Sequence, residues 1–119
     1  MALQLYGLDE SARRLVKAQP ESSLREAYKM RAAVAYGLER FWGEPMRLQD
    51  NEAKAQYWRS VWNELVAILQ PANINLPNYE NVQRQADSLW NLDKEDRQIA
   101  LAVLTQLCDC LVWWTQRYL

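Results

Sequence analysis

Residues 93–119 read DKEDRQIALAVLTQLCDCLVWWTQRYL. An acid-rich start leads into a nearly uninterrupted apolar run from Ile99 to Trp114. At 100° per residue, Thr105, Gln106, Asp109, Gln116 and Arg117 fall within one arc of about 120°. The remaining positions are apolar or small. A helix apolar on nearly all sides needs neighbours on most of them. The stretch therefore predicts an all-α fold, a single-domain bundle of about five helices over residues 1–119, with the C-terminal helix central.

The rest of the chain supplies the surrounding helices. Met1–Leu8 is a short apolar lead, expected to pack as a strap. Asp9 is placed to cap a short helix from Glu10 to Ala18, which Pro20 ends. Ser23 and Glu26 have the spacing of a capping box, and a helix is expected from Leu24 to about Trp42. Leu24, Tyr28, Ala35, Leu38 and Trp42 form its apolar stripe, and Gly43-Glu44-Pro45 is the expected break. Asp50 or Asn51 then caps a cleanly amphipathic helix reaching Gln70. Pro71 to Asn78 reads as a loop. Asn78 caps a fourth helix carrying Tyr79, Val82, Ala86 and Leu89 at helical spacing. Asp93 caps the last helix, whose Glu95 and Asp96 favour the helix dipole. No stretch alternates with period two, so no sheet is expected.

Composition excludes several kinds of chemistry. The 119 residues contain no histidine. That removes His-based nucleophile arrangements, His-ligated zinc and haem, and histidine pH switches. Cys108 and Cys110 point about 200° apart on a helix, so they neither bridge nor share a metal; they read as small core residues in a reducing, cytoplasmic compartment. The first eight residues lack the basic start and long apolar run of a signal peptide. The longest charge-free C-terminal stretch, Gln98–Cys108, falls short of the roughly 20 residues of a membrane span. No phosphate loop or nucleophile elbow is present, and the acidic pairs Asp9/Glu10 and Glu95/Asp96 sit at helix starts. Neither catalysis nor a cofactor or metal is expected.

The net charge of −1 is unevenly distributed. Residues 1–60 carry ten Lys/Arg against eight Asp/Glu, and residues 61–119 four against seven. On the predicted second helix, Arg25, Lys29, Tyr36 and Arg40 lie on one face within about 60°. Arg13, Arg14 and Lys17 extend that face if the first helix lies alongside. Cations with an aromatic among them suit a nucleic-acid backbone and its bases; a solvated helix face is the simpler account. Six tryptophans supply the other signal. Trp42, Trp58 and Trp62 fall on apolar faces and read as core. Trp113 falls in the polar arc of the last helix, where it is an interface anchor if exposed, and Trp90 sits at a helix end. Arg31 points into an apolar arc. It is costly there unless paired with Asp87 or Asp109, snorkelled to the edge, or covered by a partner.

With its size, helical content and basic face (Arg25, Lys29, Arg40) opposite an aromatic one, the chain resembles the small helical subunits of CRISPR effector complexes of the Cascade-like and type III kinds. The resemblance implies a non-catalytic subunit of a larger ribonucleoprotein complex. Several copies would stand side by side, holding single-stranded RNA or DNA by shape and charge. The alternative is a protein–protein adaptor or self-associating helical protein that binds no nucleic acid.

Overall fold

The apolar repeat of the last segment closes into one long helix around which the others assemble. The computed structural model describes residues 2–48, 50–77 and 82–119, with side chains from residue 7 to residue 77 (residue 49 apart) and from residue 86 onward. Among them are six α-helices: α1 (Ala2–Lys17), α2 (Glu26–Ala33), α3 (Leu38–Arg47), α4 (Glu52–Leu69), α5 (Val82–Trp90) and α6 (Lys94–Tyr118). There is no strand among the described residues. The fold is an all-α bundle.

Central α6 packs against α1, α2, α3 and α4. Its buried residues are Ala100, Val103, Leu104, Leu107, Cys108, Leu111 and Thr115. These recur every three or four positions and span about 140° of the helix. The cover is thus narrower than the sequence suggests, and Ile99 and Trp113 on the far side stay in solvent. α6 is also long and apolar enough by length and composition to cross a membrane. This corrects an expectation that counted only charge-free runs: Asp109 is the single charge between Gln98 and Thr115. Here the apolar stripe of α6 forms the bundle core.

The expected strap and short first helix are one helix, α1. Leu8, Ala12 and Leu15 are buried on one stripe of it, so core packing carries the helix past Asp9. Asp9 is no cap; its carboxylate accepts a hydrogen bond from Trp114 Nε1 at 2.9 Å. Further along, Arg13 lies over the Trp114 ring and Lys17 shares a depression with Tyr118. Contacts advance together along both helices, so α1 and α6 run in the same direction.

The expected single helix from Leu24 to Trp42 is also corrected. It is α2, a 3₁₀ turn (Val34–Tyr36) and α3. The break falls at Gly37, with φ 98° and ψ 174°, a region essentially reserved for glycine. Gly43 and Pro45 stay helical within α3. Pro45 lies in its last turn, where it forfeits one i→i−4 bond and the helix ends two residues later. Ser23 and Glu26 form no capping box. Glu26, only 2% exposed, turns inward and accepts from Trp58 Nε1 at 3.1 Å.

Two N-cap positions fall where the sequence places them. The Asn51 side chain accepts from the Lys54 amide at 3.1 Å; Asp93 holds the N-cap position of α6, but its side chain makes no capping bond and only its carbonyl accepts, from the Arg97 amide. On α4, Trp58 and Trp62 pack against Phe41, with centroids 4.8 and 6.4 Å apart. Trp62 Nε1 donates to the Pro77 carbonyl at 2.8 Å, which ties down the loop that buries Ile74 and Leu76. The expected cap Asn78 and core residue Tyr79 lie outside the described residues.

The two glycine environments give opposite expectations. Gly37→Ala should lower unfolding free energy by about 1–3 kcal/mol, because alanine is strained at that φ. Gly7→Ala should raise it by roughly 0.5–1 kcal/mol, because the site is helical and nothing lies within 4 Å of an added Cβ. Urea denaturation followed by circular dichroism measures both; equal effects at the two sites would contradict the placement of the bend.

Candidate functional site

The bend at Gly37 ends the 3₁₀ turn and leaves the Tyr36 ring 71% exposed. The Arg40 guanidinium, on the first turn of α3, sits 5.5 Å from the centre of that ring. Lys29, Tyr36, Arg40 and Arg47 line one shallow depression of about 340 Å³ together with Glu44. Lys29 is held by Glu26 at 3.2 Å and Arg47 pairs with Glu44. Arg40 has no ion pair among the described residues, so its charge faces solvent beside the ring. Arg25 is exposed at the N-cap of α2, outside the lining of the depression.

The structure therefore brings together Lys29, Tyr36 and Arg40 and adds Arg47, which sequence reasoning missed because it expected the chain to be broken at Gly43–Pro45. It does not bring Arg13, Arg14 and Lys17 to the same depression. Arg14 bonds Glu64 on α4 at 2.7 Å, Arg13 stands over Trp114 at 5.8 Å, and Lys17 sits beside Tyr118 and Glu21.

A second surface follows the seam of α1 and α6. Trp113 is 47% exposed. Its ring meets Trp114 edge-on at 4.9 Å, and Trp114 stacks on Tyr118 at 6.0 Å. Arg117 lies 3.5 Å from the centre of the Trp113 ring. Asp9, Asp109, Cys110, Trp113 and Trp114 line a shallow depression of about 520 Å³. Trp114, Arg117 and Tyr118 were not singled out from sequence, since their roles depend on α1 lying alongside. Arg31 pairs with Asp109 at 2.5 Å, one of its two expected partners. Both side chains are partly exposed, so this pair closes the edge of the α2–α6 contact and not its interior. Trp90 is 76% exposed at the end of α5. Its carbonyl and that of Leu89 accept from Arg97, which also pairs with Glu39.

Burial pushes the Cys108 and Cys110 thiols above the ordinary range, so both stay protonated. That disfavours a thiolate nucleophile. Among the described residues, no three His, Cys, Asp or Glu side chains gather as metal ligands. Comparison with family models, curated proteins and solved structures returned no match.

Arg14 has a structural role that pH can report. Burial alone would raise the Glu64 carboxyl; hydrogen bonds from Arg14 and Ser11, with the Arg14 charge, outweigh it and hold it below the usual range. A depressed carboxyl stabilises the fold fully above its unfolded value, near pH ~4.3, and loses that contribution as pH falls through the folded value. Glu64→Gln should therefore flatten the acid-side loss of stability below about pH 4. Urea midpoints measured across pH check this; an unchanged slope would contradict the pairing.

Proposed function

We propose that this chain is a non-catalytic subunit of a larger cytoplasmic nucleoprotein assembly. In this reading the face at the α2–α3 bend contacts a single nucleic-acid strand, and its exposed tryptophans contact neighbouring subunits. The observation that carries it is the solvent-facing Tyr36 ring flanked by the Arg40 guanidinium, which has no ion pair among the described residues, with Lys29 and Arg47 around the same depression. A ring so exposed offers a stacking platform for an unpaired base, while the cations take backbone phosphates. Partial neutralisation by Glu26 and Glu44 makes each contact weak. Strength then comes from several sites engaged together. The resemblance to the small helical subunits of CRISPR effector complexes points the same way, including the absence of sequence readout.

A second reading, a protein adaptor without nucleic acid, is favoured by the exposure of Trp90 and Trp113, because exposed tryptophans are typical interface anchors.

Fluorescence anisotropy with labelled single-stranded RNA and DNA separates the two. Binding should weaken steeply between about 50 and about 200 mM salt. Tyr36→Ala should cost roughly 1–3 kcal/mol of affinity, and Arg40→Glu should also reduce the salt dependence. Both side chains are exposed, so the fold should be kept. Absence of binding by the folded wild-type chain at low salt leaves the adaptor reading.

A further inference from the structure

α6 carries a second stripe, beside its core stripe, whose positions are symmetrical about Gln106. Moving outward from Gln106, Ala102 and Cys110 lie four residues away on either side, Ile99 and Trp113 seven, and Glu95 and Arg117 eleven. At 100° per residue all seven fall within about 80° of the helix. Six of the seven are exposed, Ile99 at 38%, and Cys110 is half-buried. The stripe runs about 33 Å along the axis. It joins an apolar middle to an acidic end and a basic end.

From this pattern we infer that the stripe is the interface of a homodimer, in which α6 of a second copy lies antiparallel across Gln106. A two-fold axis there sets each residue opposite its counterpart on the other copy, as an isologous contact requires. Glu95 faces Arg117 at both ends, so charge is complementary twice. Trp113 covers Ile99, and Ala102 beside Cys110 lets the two backbones approach. Gln106 meets Gln106, and each side-chain amide offers a donor and an acceptor to the other. A parallel pair would set Glu95 against Glu95 and Arg117 against Arg117, so charge selects the antiparallel arrangement. Arg117 is already held in place, stacked on Trp113 and donating to its carbonyl at 3.1 Å.

The inference gives the neighbouring subunit of the proposed assembly an identity: a second copy of this chain. The contact closes at two copies, leaving the Tyr36 face of each free.

The test is sedimentation velocity of the full chain after nuclease treatment, without nucleic acid, so this inference and the strand-binding reading can fail separately. A concentration-dependent dimer is expected. Glu95→Arg and Arg117→Glu should each weaken it by about tenfold, and the double variant should restore it, because both ends are then swapped together. Gln106→Cys, combined with Cys110→Ser, should form an intermolecular disulfide under mild oxidant. Circular dichroism confirms folding of each variant. A chain that stays monomeric at about 100 μM, well above the micromolar range of ordinary weak interfaces, overturns the inference. So does a dimer that the charge swap fails to restore, since its contact lies elsewhere.

Discussion

Ala100, Leu104, Leu107 and Leu111 have no solvent contact, and the helices packed against α6 are α1, α2, α3 and α4. Each buried leucine contributes about 1.5–3 kcal/mol relative to exposure, a sizeable share of the net stability of a domain this size. α1, α2, α3 and α4 are placed by how they cover this stripe, and α5 packs on α3. The functional surfaces follow from the same packing. α2 reaches α6 with its buried face, so its cations face outward. α1 lies along α6, so the rings of Trp114 and Tyr118 are drawn to their seam.

One buried charge holds the second layer. Glu26 sits within the α2–α4 contact, accepting from Trp58 Nε1, with Lys29 at 3.2 Å and Lys54 at 3.9 Å. A buried carboxylate is costly unless paired and hydrogen-bonded, and here three groups meet that requirement. The arrangement also draws Lys29 to the rim of the depression beneath Tyr36. Fold and candidate site share this carboxylate.

The fold class and the central place of α6 were legible because helical periodicity is a local property, strong from Ile99 to Leu111. The core roles of Trp42, Trp58 and Trp62 were legible for the same reason. The bend at Gly37 was not: a lone glycine competes poorly, as a sequence signal, with Gly43-Glu44-Pro45. Its effect depends on Val34 and Leu38 both reaching the core, which only tertiary packing decides. The basic face was half legible. Lys29, Tyr36 and Arg40 meet, while Arg13, Arg14 and Lys17 go to three different partners. Their destinations depend on where α1 lies, and no local pattern encodes that. Arg31 could be assigned to Asp109 as one of two candidates; that the pair lies at the edge follows from how far α2 overlaps α6.

The parallel pairing of α1 with α6 bears on how the chain reaches its fold. The bond from Trp114 to Asp9 spans 105 positions, and helices that run in the same direction cannot be joined by a short turn. Helical bundles usually fold quickly because their contacts are local. Here the seam closes a loop of nearly the whole chain, and the entropy of that closure weighs against forming it directly. The α2–α4 layer, with its nearer contacts, is positioned to form first.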